Sequence, residues 1–387
     1  MKVLFVANNI NVPGNGICSS VNATVTKLRE KGVDARILSG SSKLAYGRKP
    51  DFPLKRLYFP IFQPIIDANG FSYARRDQKI IREAVQWADV IHICEPLFLQ
   101  ADAIRWAEKL GKPIVATFHL YTQNILNEIP FASWGWSNRL LMKRWRNAQF
   151  NHCTHVQCPT SAVRNLLQKF GFSSHLPVIS NGIEISPERV IACAPQTQPY
   201  IIYNTGRYAN VKNQICLLNA MRYCRHSREI QLVFAGNGVN LPKLKKTADR
   251  LLADGVLSIP PVFAFHTHEQ LAQLAKKAYL YVHCAKLEVE GLGCLEAVRE
   301  GCVPLVGSGE LIGTTDFAMD ERSVYPCDDA RTLAQKIDWW IDHPQERIAA
   351  GQQYADFSRK FSIDYSIDAI IKMYRESAVL EKLKAER

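Results

Sequence analysis

Two glutamates eight positions apart, Glu288 and Glu296, flank a turn that carries Gly291 and Gly293 and opens a short helical stretch ended by Gly301. The glycines let backbone N–H groups come close to a ligand at the helix start, where the helix dipole favours phosphate. A helical side chain leans back towards its N-terminus, so both carboxylates are expected to face one pocket there. Carboxylates beside a phosphate-type turn have a use if the ligand also carries hydroxyl groups, which donate to them. A nucleotide joined to a sugar offers both. His119 is a third candidate, because it ends the apolar run Pro113–Phe118 and an α/β sheet exposes functional side chains at the carboxyl ends of its strands. Arg207 and Lys212, five apart after the run Tyr200–Thr205, are by themselves ordinary surface cations.

The elements that must hold these residues alternate. In the first half, apolar strands at Val3–Ala7, Asp34–Leu38, Val90–Ile93 and Pro113–Phe118 are separated by helical stretches at Ser19–Glu30, Gln78–Trp87 and Leu99–Leu110. Near-continuous apolar strands in such alternation mean a parallel sheet covered on both faces. Pro177–Ile183 reads as a further strand running into the turn Asn181-Gly182-Ile183. Ser186–Pro199, with three prolines, reads as a linker. A second series follows, with strands at Tyr200–Thr205, Gln231–Ala235, Leu280–His283 and Val303–Val306, each followed by a helix. The expected fold class is therefore α/β with two doubly wound, Rossmann-like parallel-sheet domains, 1–186 and 199–364. A closing helix at about 365–387 is expected to pack back on the first. Ligands belong at the carboxyl ends of both sheets, in a cleft between facing domains.

With 387 residues the chain exceeds what one hydrophobic core usually supports, and 47% hydrophobic residues is ordinary for a globular protein. Val3–Ala7 is too short for a signal-peptide core, and no window approaches the roughly 18 apolar residues of a membrane span. The expected location is the cytosol, where the eleven cysteines are free thiols. His152, Cys153, His155 and Cys158 cluster within seven residues, but zinc sites bring a second ligand pair from further along, and Thr154–Cys158 alternates like a buried strand. No metal site is expected. The net charge of +12 is uneven: residues 1–185 hold 23 Lys and Arg against 12 Asp and Glu, a net of +11. A basic half suits an anionic partner, whether nucleic acid, a phosphorylated acceptor or an anionic membrane face.

The Glu288–Glu296 segment resembles the paired-glutamate motif, Glu-x7-Glu, of the retaining glycosyltransferases of family four. That resemblance implies the GT-B fold, a donor sugar on Glu288, a nucleotide ribose on Glu296, and donor contacts from Gly291, Leu292 and Gly293. Gly301-Cys302-Val303-Pro304 is similar to the strand entry that follows in the family. Glu290 departs from the pattern, since an aromatic or apolar residue usually stands there. Taking Glu290 as the sugar-contacting residue would turn Glu296 by about 200° around the helix, so Glu288 is preferred. Gly206-Arg207-x4-Lys212 resembles the family's diphosphate-binding signature. It implies that two cations neutralise the leaving group without a metal, in keeping with the lack of an Asp-x-Asp sequence. His119 matches the family's cleft histidine. Its surroundings, Phe118-His119-Leu120-Tyr121-Thr122-Gln123-Asn124-Ile125, partly resemble those of bacterial glucosyltransferases that build diacylglycerol glycolipids, with the glutamine one place later and the glutamate absent.

Gly14 and Gly16 follow the first strand and resemble the family's acceptor-side glycine loop. As a dinucleotide fingerprint the loop fails, because Ser19 stands in place of the third glycine and the second strand ends without an acid. Gly236 resembles a strand-end glycine of the donor domain. Trp134, Trp136, Arg139, Lys143, Arg144, Trp145 and Arg146 interleave aromatics with cations on one helix, a composition that suits an anionic bilayer surface. The expected function is metal-independent, retaining transfer of a hexose from a nucleotide sugar, UDP-linked, to an acceptor hydroxyl. The expected acceptor is a membrane lipid of the diacylglycerol type, with the enzyme peripheral at the inner membrane face and no cofactor. Lipopolysaccharide, capsule or a soluble molecule are the alternative acceptors. A nucleotide or nucleic-acid binder without catalysis is the rival class, and it leaves the two glutamates unexplained.

Overall fold

The computed structural model describes residues 1–12, 15–40, 48–60, 63, 66, 72–126, 135–186 and 198–386. The chain divides into two compact units, Met1–Asn181 with Ile363–Arg387, and Gly182–Ser362.

The first unit is built on six parallel strands, in the order Phe52–Leu54, Asp34–Gly40, Lys2–Val6, Val90–Ile93, Ile114–Thr117 and His155–Gln157. Val90–Ile93 and Ile114–Thr117 are buried at every position, as strands covered on both faces must be. From Lys2–Val6 the chain builds outward to one edge, then returns to add Val90–Ile93 on the other side, with Val3 opposite Val90. The strand order therefore reverses between these two strands. Asn15 starts the helix Gly16–Glu30 by accepting from the N–H groups of Ile17 and Cys18, and Asp77 starts Gln78–Trp87 in the same way.

The last helix, Ile363–Ala385, belongs to this unit. Ile363, Ile367, Ile370, Met373 and Tyr374 share a core with Val3 and Phe5. The Tyr374 hydroxyl lies 2.6 Å from His92 Nδ1, and His92 Nε2 lies 2.7 Å from Thr117 Oγ1. Burial lowers the His92 imidazole to about 3, so the ring is neutral at physiological pH and serves as a structural link.

The second unit repeats the plan. Its six parallel strands run in the order Val262–Ala264, Ile230–Ala235, Tyr200–Thr205, Leu280–His283, Val303–Ser308 and Val324–Pro326. Helices cross over between them, such as Leu241–Ala253 and His268–Lys277, the latter opened by a capping box between Thr267 and Gln270.

The eight apolar runs read from the sequence as strands of the two alternating series all form ladder strands, within two residues at each end, and the structure sets them at the sheet centres. Three edge strands, Phe52–Leu54, Val262–Ala264 and Val324–Pro326, have no counterpart among those runs. They are three residues long and paired on one side, which demands no continuous apolar run. Pro177–Ile183 is a correction. It makes single bridges, Cys158 with Val178 and Ile183 with Ser362, and no ladder. Pro177 has no N–H to donate, so a regular ladder there is interrupted. The His152–Cys158 stretch is strand and turn: His155–Gln157 is buried, and His152 Nδ1 sits 2.5 Å from Glu108. Of the proposed linker, residues 187–197 lie outside the described residues. Among the described residues no helix is long and apolar enough to cross a membrane.

Candidate active site

In the second unit the strand Tyr200–Thr205 ends in a loop, Gly206–Ala209, laced to the loop after Ile230–Ala235. Gly206 N–H donates to Ala235 O at 3.0 Å, and Tyr208 N–H to Asn237 O at 2.8 Å. A Cβ on Gly236 would stand 2.0 Å from Gly206 O, so only glycine lets the two loops close. The Tyr208 hydroxyl, buried beneath, donates to Phe234 O at 2.7 Å. This anchoring leaves the Arg207 side chain exposed while Gln214 Nε2 donates to its backbone carbonyl at 3.1 Å. A short 3-10 turn, Asn210–Lys212, then carries Lys212.

Lys212 Nζ donates to Glu288 Oε2. The same carboxylate oxygen lies 3.2 Å from His283 Nε2. His283 is itself reached through a relay: Thr205 Oγ1 is 3.1 Å from the Tyr281 hydroxyl, which is 3.2 Å from His283 Nδ1. Burial alone would raise the Glu288 carboxyl, but the charge of Lys212 and the contact with His283 outweigh it and bring it down to about 2. Its backbone is pinned as well: Glu288 N–H donates to Leu311 O at 2.9 Å and Gly313 N–H to Glu288 O at 2.8 Å.

Gly291 caps the helix Leu292–Arg299 in the left-handed region, at φ 83 and ψ 58, without a side-chain cap. A Cβ there would meet Thr314 Cγ2 at 2.3 Å and Glu288 Cγ at 3.2 Å. Leu292 and Gly293 form the first turn, whose N–H groups point out at the positive end of the helix. Glu296 is half-buried on the next turn, and its Oε1 lies 3.7 Å from His268 Nδ1. Burial raises its carboxyl. The structure thus joins Lys212 to Glu288 through a hydrogen bond and gives Glu296 a different neighbour. Glu290, by contrast, is buried.

Residues 14–186 match the model of Glycosyltransferase Family 4, and residues 191–356 that of Glycosyl transferases group 1. The chain belongs to the family-four glycosyltransferases. Its fold is GT-B. Similar curated proteins include an alpha-monoglucosyldiacylglycerol synthase of Streptococcus pneumoniae, 25% identical over 76% of this chain and 68% of that one. A GDP-mannose-dependent alpha-mannosyltransferase of Corynebacterium glutamicum is 23% identical over 88% of this chain and 81% of its own. Among solved structures, HepE of Anabaena in complex with UDP and glucose aligns with TM-score 0.69 at 15% identity, covering 97% of this chain and all of that one. Sucrose-phosphate synthase of Thermosynechococcus elongatus aligns with TM-score 0.71 at 14% identity, covering 97% and 98%.

In the first unit of this glycosyltransferase, His119 lies two residues past the strand Ile114–Thr117, half-buried, and burial lowers its imidazole to about 4. Gly16 opens the helix behind Asn15, whereas Gly14 lies outside the described residues. The basic helix is Gly135–Ala148, with Trp134 outside the described residues. Its Met142 and Trp145 are buried, while Trp136 and Leu140 are each 61% exposed. His283, Tyr281 and Thr205 were not singled out in the sequence. A signal for His283 existed, since it closes an apolar strand five residues before Glu288.

Proposed function

We propose that this glycosyltransferase moves a hexose from a UDP-linked donor to a hydroxyl of a membrane lipid of the diacylglycerol type, with retention and without a metal. The observation that carries the donor side is the Lys212–Glu288 pair set beside the helix start at Gly291. Lys212 and Arg207 neutralise the diphosphate as the glycosidic bond breaks, and the first turn at Leu292 and Gly293 adds backbone donors. Glu288 accepts from the donor sugar's hydroxyls, and its depressed pKa keeps it ionised for that role throughout the physiological range. Glu296 accepts from the ribose, and Gly236, closed against Gly206 O, holds the Gly206 loop where it meets the donor. His119, neutral at physiological pH, serves as a contact for the sugar. The departing diphosphate takes the proton of the acceptor hydroxyl, so no side chain serves as a covalent nucleophile.

Two observations support a lipid acceptor: the similar synthase of S. pneumoniae acts in glycolipid formation by its name, and the first unit exposes Trp136 and Leu140 among cations. HepE is solved in complex with UDP and glucose and with UDP-glucose, and the mannosyltransferase of C. glutamicum is GDP-mannose-dependent by its name. The test offers UDP-glucose, UDP-galactose and GDP-mannose with vesicles containing dioleoylglycerol, with products read by mass spectrometry and NMR. A UDP-hexose should give an α-linked glycolipid at a rate that excess chelator changes less than about twofold. A β-linked product, or complete loss with chelator restored by manganese, overturns the mechanism. Transfer confined to a soluble acceptor overturns the lipid assignment.

A further inference from the structure

The first unit carries a buried acid that the reaction as described does not use. Asn8 and Glu95 each stand two residues past the strands Lys2–Val6 and Val90–Ile93, the two between which strand order reverses. In open α/β sheets that crevice is where ligands bind. Glu95 is 8% exposed. One of its oxygens, Oε2, accepts three N–H bonds: from the Asn8 backbone at 2.7 Å, from Asn8 Nδ2 at 3.0 Å and from Gln100 Nε2 at 2.9 Å. Gln100, fully buried, accepts in turn from Asn8 Nδ2 at 3.1 Å. None of the three bonds reaches Oε1.

The groups that hold Glu95 are amides, and burying a carboxylate among amides costs more than burying a neutral group. A glutamine would satisfy the same three donors through its carbonyl. A post that merely ties strand ends together therefore needs no charge here. The charge has a use if a donor arrives at Oε1, and a hydroxyl is the neutral donor that a transferase's acceptor must present. His119 lies at the same carboxyl end of the sheet: Ile93 pairs with Ala116, so Glu95 and His119 follow neighbouring strands.

Building on the transfer reaction above, we propose that Glu95 Oε1 accepts a hydrogen bond from a hydroxyl of the bound acceptor before transfer, making Glu95 the residue that selects a neutral, hydroxyl-bearing acceptor and rejects a phosphate at this point; the proton still leaves with the diphosphate when the bond forms. The basic charge of the first unit then serves the approach to a surface, while the acceptor seat itself is acidic.

The test is Glu95→Gln, which keeps the amide cluster but turns an N–H outward. Three acceptors are offered with UDP-glucose: dioleoylglycerol in vesicles, octyl glucoside and glycerol 3-phosphate. The substitution should raise KM for the neutral acceptors about tenfold or more. UDP affinity by calorimetry should stay within about twofold and the melting temperature within a few degrees. An acceptor KM that stays within about twofold overturns the proposal, and so does a wild-type preference for glycerol 3-phosphate. A variant that no longer melts cooperatively, or loses UDP affinity in parallel, makes Glu95 a structural post and overturns it as well. Transfer to octyl glucoside but not to dioleoylglycerol sinks the lipid reading alone, and the KM comparison then decides on octyl glucoside. Transfer to none of the three overturns both.

Discussion

Lys212 and Glu288 are 76 positions apart and meet through one hydrogen bond. Neither is unusual alone, but the carboxylate is half-buried against His283, so its charge depends on its partners. Its pKa of about 2 lies below the ordinary glutamate value of about 4.3. The stabilisation is therefore complete above about pH 4.3 and is lost as pH falls through 2. Lys212→Met should leave Glu288 without its first partner and remove one cation from the leaving diphosphate. A loss of one such electrostatic contact costs about 10²–10³ in kcat. Steady-state kinetics with UDP-glucose should show it, and a folded variant with kcat within threefold of wild type would remove Lys212 from the mechanism. At this scale the Glu-x7-Glu and Gly-Arg-x4-Lys spacings were legible, because each lies within one loop-helix segment. The Thr205–Tyr281–His283 relay was not, since it joins two strands whose adjacency no local spacing records.

The helix Gly135–Ala148 shows what an element adds. Its sequence mixes tryptophans and cations without saying which face is which. In the fold, Met142 and Trp145 turn inward, and Arg146 Nη1 donates to Phe170 O at 2.7 Å, so Arg146 belongs to the anchoring face. Trp136, Arg139, Leu140, Lys143 and Arg144 are exposed. At 100° per residue, Trp136 and Leu140 lie within about 40° of each other, with Arg139 and Lys143 on one side and Arg144 on the other. That arrangement suits an interfacial helix. Each cation near an anionic surface contributes about 1 kcal/mol, screened within about 8 Å at physiological salt. Replacing Trp136 and Leu140 by serine, and Arg139, Lys143 and Arg144 by glutamine, should cut sedimentation with phosphatidylglycerol vesicles at least tenfold. Melting should barely change, because these side chains support no core. If wild type ignores such vesicles at low salt, the surface has another purpose.

At the scale of the whole molecule, the chain returns after Ser362 to complete a core begun at Met1. Ile363, Ile367, Ile370, Met373 and Tyr374 are all at most 3% exposed. At roughly 1.5–3 kcal/mol each, they contribute about 7–15 kcal/mol, as much as the whole stability of a typical domain. A chain truncated after Ser362 should therefore lose the first unit's calorimetric transition and keep that of the second. Two intact transitions would show that the helix is dispensable. What the sequence determined by itself was the alternation of strand and helix, the repetition of that plan and the two motif segments at strand ends. These rest on interactions within a few residues: apolar runs, caps, glycine turns. What only the tertiary structure decided was which strand lies beside which. That order brings Lys212 onto Glu288, sets Glu95 against Asn8 at the reversal of the sheet, and seats Tyr374 on His92. Such contacts span tens to hundreds of positions, and their partners are chosen by the crossover of helices and the burial of shared cores, which no local pattern encodes.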